Sequence, residues 1–183
     1  ISYEIAVTIT LVSVILTAGT LNLVEIVEAQ RDAGVWFGFL QPVALVLVFI
    51  GGLAETNRMP FDLPEAETEL TGGFHTEYSG MRFSLFFLAE YANIIVISAV
   101  VVIMFMGGWM APFPNVAAFD FFEIIPGWIW FLGKIFVFLY LFIWLRATLP
   151  RYRYDQLMNI GWKVLIPIAL GNLVITGIAK VVF

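Results

Sequence analysis

Six carboxylates lie between residues 55 and 77 of this 183-residue sequence, in a segment that separates two long hydrophobic stretches. They are Glu55, Asp62, Glu65, Glu67, Glu69 and Glu77. Crowding and partial desolvation make it harder for neighbouring carboxylates all to be ionised, so clustered acids can exchange protons near neutral pH. The alternative is a solvated acidic loop at a membrane surface, and composition alone gives the two interpretations even weight.

Two features favour a functional segment. Apolar residues are interleaved with the acids, which indicates that the segment packs against another part of the molecule; they are Phe61, Leu63, Leu70 and Phe74. Glu90 also continues the acidic series about ten residues, or about 15 Å, into the next hydrophobic stretch. That depth is near the middle of a hydrocarbon layer of about 30 Å.

Lys134 is predicted at a similar depth in the following stretch. A charged side chain there costs about 2.5–3.5 kcal/mol, so neither Glu90 nor Lys134 is expected to face lipid. A buried ion pair between them is one interpretation, and such a pair need not add stability. A proton relay is the other and is favoured, because ionisable residues inside a membrane usually mark a pathway.

Composition identifies a membrane protein, with 61% hydrophobic residues, 13% charged residues and a mean hydropathy of +0.96. Soluble domains have about 45–50% apolar and about 25% charged residues. A spanning helix needs about 20 mostly apolar residues, and five stretches qualify. They are Ile5–Leu23, Trp36–Leu53, Phe83–Met106, Ile124–Leu145 and Leu157–Ile178. The predicted fold is therefore all-α, a polytopic transmembrane helical bundle with five spans.

Lysine and arginine placement predicts the orientation, since cytoplasmic loops carry an excess of both. Basic residues border the segment 55–80 and recur in the segment 146–156. Both segments are therefore assigned to the same, cytoplasmic face. The chain begins with Ile1, and no basic region precedes the first hydrophobic stretch. We therefore expect residues 1–183 to be one transmembrane domain, the C-terminal part of a longer subunit.

The sequence contains no cysteine and a single histidine, His75. Thiolate-ligated iron–sulfur clusters and disulfides are therefore excluded within this chain. One histidine cannot build a metal site alone, so we predict no metal here. Any redox chemistry must belong to another subunit or to a diffusible molecule, and nothing in the sequence points to nucleic acid.

Three runs of sequence resemble a known family. Residues 54–94 contain E-T-N-R-x-P-F-D-L-P-E-A-E-x-E-L, then H-T-E-Y-S-G-M-R-F and F-F-L-A-E-Y-A-N. Residues 144–158 read W-L-R-A-T-L-P-R-Y-R-Y-D-Q-L-M, and the chain opens with I-S-Y-E. Together they resemble the quinone-site membrane subunit of respiratory complex I, the NADH–quinone oxidoreductase, in the form shared by bacteria and mitochondria.

The resemblance implies a subunit without redox centres that joins the hydrophilic arm of the complex to its membrane arm. Quinone would be its substrate, in a cavity shared with hydrophilic-arm subunits, and its other partners would be membrane-arm subunits and the lipid bilayer. The resemblance implies proton-coupling roles for Glu4, Glu55, Asp62, Glu65, Glu67, Glu69, Glu77 and Glu90. The similar predicted depth of Lys134 makes it a possible partner of Glu90. The resemblance assigns to the quinone cavity Arg58, Phe61, Phe87, Arg146, Arg151 and Arg153.

Three alternatives to this interpretation are kept. One is the homologous membrane subunit of a membrane-bound hydrogenase or formate-oxidising complex, in which no quinone takes part. Another is a stand-alone proton-coupled carrier, and a third is a purely structural anchor for a soluble arm. The residue pattern of the acidic segment favours a location of the protein in a bacterial cytoplasmic membrane over one in the mitochondrial inner membrane.

Overall fold

The computed structural model describes residues 2–56, 61, 80–111, 125–150 and 152–182. Most of the acidic segment lies outside these ranges, and within it only residues 55, 56, 61 and 80 are described. The helices, in chain order, are α1 Ser2–Ala18, α2 Leu23–Ala33, α3 Phe37–Leu40, α4 Pro42–Glu55, α5 Met81–Phe105, α6 Gly127–Thr148, α7 Tyr154–Ile160 and α8 Ile166–Val182. A π-helical turn, Gly161–Leu165, joins α7 to α8.

The predicted helical class is confirmed for the described residues, but the prediction of five spans is not. Helices α5, α6 and the continuous unit α7–α8 are long and apolar enough to cross a membrane. Helices α1 and α2 make a fourth span only if they count as one element, and they meet at 59°. Helix α4 has 14 residues, which is about 21 Å and shorter than a hydrocarbon layer.

The breaks in the first two predicted spans have local causes. Gly19 has a left-handed backbone, with φ of 78°, and it follows the last residue of α1. Asn22 then caps α2, because its side-chain oxygen accepts a hydrogen bond from the backbone N–H of Val24. Pro42 stands at the first position of α4, where its missing N–H removes no helical hydrogen bond.

Two buried glutamines bind the irregular backbone to its neighbours. Gln41 lies between α3 and α4; it accepts a hydrogen bond from the Ser13 hydroxyl at 3.2 Å and donates one to the Thr17 hydroxyl at 2.6 Å. Gln30 is fully buried and donates to the backbone carbonyl of Ile103 in α5 at 3.0 Å. Non-helical backbone at membrane depth persists only where such partners replace the lost hydrogen bonds.

The antiparallel helices α5 and α6 pack with their ends offset. Phe105 and Ile135 belong to one core cluster, Ile94 and Phe142 belong to the next, and Tyr91 lines one groove with Arg146. Arg146 lies in the last turn of α6, whereas α5 begins ten residues before Tyr91. Helix α5 therefore extends about 12 Å past the end of α6.

This offset determines where Glu90 lies relative to α6. Helix α6 has 22 residues, so it measures about 33 Å and matches the thickness of the hydrocarbon layer. Glu90 precedes Tyr91 and is level with the last turn of α6. Along the pair of helices, Glu90 is therefore closer to the end of α6 than to its middle.

Candidate functional site

A glycine pair in α4 brings three helices together next to the predicted carboxylates. A Cβ atom on Gly51 would collide with the Val7 side chain of α1, and one on Gly52 would lie 2.7 Å from Cγ2 of Ile97 in α5. A larger residue at either position would require Val7 or Ile97 to shift, so glycine permits close packing on both sides of α4. Glu55 follows the pair by one turn and is the last residue of α4.

An aromatic cluster forms at the same end of the bundle. Phe61 is buried, with 6% of its surface exposed, and its ring centroid lies 5.9 Å from that of Tyr3 and 5.8 Å from that of Tyr152. Tyr3 is in the first turn of α1, and Tyr152 lies just before α7. The cluster therefore joins the start of α1, the segment after α4 and the approach to α7.

Three of the predicted coupling carboxylates are described at the same end of the bundle as this cluster. Glu4 lies in the first turn of α1 and is exposed, Glu55 is exposed at the end of α4, and Glu90 is half-buried on α5. The predicted cavity residue Phe87 is half-buried, and its ring centroid lies 4.7 Å from that of Phe83. Arg153 is exposed just before α7. These residues share one end of the bundle.

Several predicted site residues fall outside the described part of the chain. They are Arg58, Asp62, Glu65, Glu67, Glu69, Glu77 and Arg151. Their placement relative to the aromatic cluster remains a prediction. Among the described residues, no group of three or more His, Cys, Asp or Glu side chains is arranged to hold a metal ion.

Lys134 does not pair with Glu90. Its ammonium group donates to the backbone carbonyls of Met106 at 2.7 Å, Gly108 at 3.0 Å and Met110 at 2.7 Å. It also lies 4.6 Å from the centroid of the Trp36 ring, in cation–π geometry. Met106 follows Glu90 by about 16 residues, which is about 24 Å along α5. The possible ion pair with Glu90 is therefore not formed, and Lys134 instead binds the carbonyls that follow the far end of α5.

Comparison with known proteins identifies the family. A sequence model described as NADH dehydrogenase matches residues 1–177. The chain belongs to the NADH dehydrogenase family. It is similar to the H subunit of the NADH-quinone oxidoreductase of Rhodospirillum centenum, with 52% identity over 183 residues, which cover 100% of this chain and 53% of the relative.

Two further relatives are also H subunits of NADH-quinone oxidoreductases. An H subunit of the NADH-quinone oxidoreductase of Geobacter metallireducens is 49% identical over 178 residues, 97% of this chain and 48% of the relative. The H subunit of the Rickettsia typhi enzyme is 50% identical over 175 residues, 96% of this chain and 50% of the relative. The chain spans about half the length of these curated relatives. The family resemblance drawn from the three sequence runs is confirmed.

In this NADH dehydrogenase chain, sequence reasoning missed two of the three aromatic residues. Tyr3 was part of the matched opening run, yet only its neighbour Glu4 was selected. The hydroxyl oxygen of Tyr3 is buried and makes no hydrogen bond within the described part of the chain. Tyr152 lies among the arginines of the segment 146–156, and nothing in its spacing indicates a stacking contact with Phe61.

Sequence reasoning also missed the glycine pair. Gly51 and Gly52 lie in a hydrophobic run, where glycines are common in membrane helices and carry no charge signal. Their role became visible only from the side chains that face them in α1 and α5. In this family member they set the spacing between the helices that carry Glu4, Glu55 and Glu90.

Proposed function

We propose that this chain is part of the membrane subunit of a proton-translocating NADH–quinone oxidoreductase, where it forms one wall of the quinone cavity. The observation that carries the proposal is that Glu4, Glu55 and Glu90 lie at the same end of the bundle as the aromatic cluster around Phe61. The names of the relatives support the quinone enzyme and do not favour a hydrogenase or a formate-oxidising complex.

The part of α5 beyond α6 supports a cavity on this side. Met81, Leu85 and Leu88 lie on this overhang and are 82%, 59% and 66% exposed. Apolar side chains that extend past the end of a spanning helix need a partner protein or an apolar ligand to cover them. A quinone between this overhang and subunits of the hydrophilic arm would meet that need.

Within this proposal the residues divide by chemistry. The carboxylates of the acidic segment, together with Glu4, Glu55 and Glu90, take up or release protons as the charge of the bound quinone changes. Phe61, Phe87, Arg58, Arg151 and Arg153 line or border the cavity. Arg146 borders a groove between α5 and α6 at the same end of the bundle.

The proposal assigns electron transfer to other subunits. The sequence has no cysteine to hold an iron–sulfur cluster, so electrons must reach quinone from a neighbouring hydrophilic subunit. Among the described residues, no charged side chain is fully buried, and the buried polar side chains away from the carboxylate end, such as Ser13 and Gln30, are uncharged. Changes in protonation would therefore pass from the carboxylates to neighbouring membrane-arm subunits. We place the complex in a bacterial cytoplasmic membrane.

Glu67→Gln and Glu90→Gln test the coupling role in the assembled complex. Each substitution keeps the size of the side chain and removes its charge, so each is expected to lower the number of protons translocated per quinone reduced. Proton uptake and NADH oxidation are measured together in reconstituted vesicles. Glu28→Gln, in the exposed face of α2 at the other end of the bundle, is the matched control.

The outcomes separate coupling from assembly. Unchanged turnover and unchanged proton translocation in both variants would reject a relay through these carboxylates. A structural anchor predicts that the same variants alter only the amount of assembled complex, with normal translocation by the complexes that form. Loss of translocation in Glu28→Gln as well would remove the link to this end of the bundle.

A further inference from the structure

A groove runs between α5 and α6 on the outer surface of the bundle. It has a volume of about 340 Å³ and is lined by Tyr91, Ile94, Ile95, Leu139, Ile143 and Arg146. All of these side chains except Arg146 are apolar or aromatic. The groove therefore offers a hydrophobic floor with one positive charge at one end.

Arg146 is the charged group of this groove, and its guanidinium makes no hydrogen bond to any residue in the described ranges. It lies in the last turn of α6 and is half-buried. A half-buried guanidinium loses part of its hydration, and its five N–H donors then favour an anionic ligand that accepts two hydrogen bonds. Phosphate and carboxylate groups have that geometry.

The flanks of the groove are suited to the membrane. Ile95 and Ile143 are 48% and 66% exposed, so the apolar face continues outward from the groove. Tyr140 and Trp144 are 66% and 53% exposed on the same helix, close to its end. Aromatic side chains are enriched at the depth of lipid headgroups, and this places the Arg146 end of the groove at that depth.

We propose that this groove binds a membrane phospholipid, with the headgroup phosphate on Arg146 and one acyl chain along the floor toward Leu139. The charge of Arg146, its depth and the apolar lining of the groove all favour a phospholipid as the ligand. Basic pockets between spanning helices on the cytoplasmic side are sites for anionic lipid headgroups. A quinone has a long apolar tail but no anionic group for Arg146 in its oxidised form.

Photolabelling of the whole complex tests the lipid site. The complex is reconstituted in phosphatidylcholine vesicles that contain phosphatidylglycerol with a photoreactive group in its acyl chain. After illumination, we expect label on residues 91–95 and 139–146. Arg146→Gln is expected to reduce this labelling about tenfold, which corresponds to the loss of about 1.4 kcal/mol of binding free energy. Ile143→Trp, which fills the groove, should reduce it as strongly.

Val174→Trp is the matched control, because Val174 is 59% exposed on α8 and lies outside the groove. It should leave the labelling of residues 91–95 and 139–146 unchanged. Three results would overturn the proposal: no label at these residues, the same labelling in Arg146→Gln, or displacement of the label by excess quinone. The site does not depend on the proposed quinone function, since lipid labelling requires no turnover.

Discussion

Lys134 shows at the scale of one residue how a half-buried charge can stabilise structure. Three backbone carbonyls and the face of Trp36 surround its ammonium group, so the charge is satisfied without a carboxylate. Gly107 and Gly108 have left-handed backbones, with φ of 68° and 53°, and they turn the carbonyls of this segment toward the lysine. The arrangement holds the chain after α5 at the end of the bundle opposite the carboxylates.

Lys134→Met is expected to lower the stability of the assembled subunit by about 2–4 kcal/mol, because it leaves three partly buried carbonyls without their donor. The temperature of half-unfolding of the purified complex measures the effect. Lys180→Met is the control, since the Lys180 ammonium is exposed and donates to the carbonyl of Thr17 at 3.0 Å. Its effect should be less than about 1 kcal/mol.

Because Lys134 lies far from Glu90, a double variant provides a second test. Substitutions at distant sites usually add within about 0.3–0.5 kcal/mol. The double variant Lys134→Met with Glu90→Gln should therefore lose the sum of the two single effects. Recovery of stability in the double variant would show that the two charges interact and would contradict the described geometry.

At the scale of helices, the close contacts of α4 determine how the carboxylate-bearing elements meet. Gly51 faces α1 and Gly52 faces α5, so α4 is packed between the two helices that carry Glu4 and Glu90. Small residues allow such close approach of membrane helices. The distances among the three carboxylate positions consequently depend on two residues that carry no chemistry of their own.

Gly52→Ala should push α4 away from α5 and reduce both assembly and quinone-linked proton translocation, because its Cβ would lie 2.7 Å from Cγ2 of Ile97. Ile97→Leu removes that branch, so the double variant should recover part of the loss. Gly133→Ala is the control, since a Cβ there meets open space within a helix. Equal loss in Gly52→Ala and Gly133→Ala would contradict a steric cause.

Hydropathy predicted the last three spans better than the first two. Phe83–Met106 and Ile124–Leu145 were predicted, and the structure has Met81–Phe105 and Gly127–Thr148. Long apolar runs without breaks leave few alternatives in a membrane. In the first two predicted spans, the apolar runs continue across Gly19 and Pro42. Hydropathy does not detect the backbone turns at these positions, and those turns are where the helices end or begin.

The candidate site was predicted only as far as charge signals allowed. Glu4, Glu55 and Glu90 were selected because acids near apolar runs are unusual, and the described structure places them at one end of the bundle. The contacts of Phe61 with Tyr3 and Tyr152 join distant parts of the chain, and no local pattern encodes them. The contacts of Lys134 with the carbonyls after α5 also join distant parts of the chain, and for this reason the sequence offered Glu90 as its possible partner instead.

At the scale of the whole molecule, the bundle is asymmetric. One end carries the predicted acidic segment, the aromatic cluster and the α5 overhang, whereas the other end is closed by Lys134 and Gln30 binding backbone groups. The chain also spans about half the length of its curated relatives. The proposed cavity therefore needs surfaces from outside these 183 residues, and the intact complex is the proper object for its test.

Photoaffinity labelling of the whole complex with a photoreactive quinone tests the central claim most directly. The account predicts label on peptides from Arg58 to Phe87, and predicts that excess unreactive quinone prevents this labelling. Label confined to other parts of the complex, with the peptides from Arg58 to Phe87 unlabelled, would contradict the assignment of this segment to the quinone cavity.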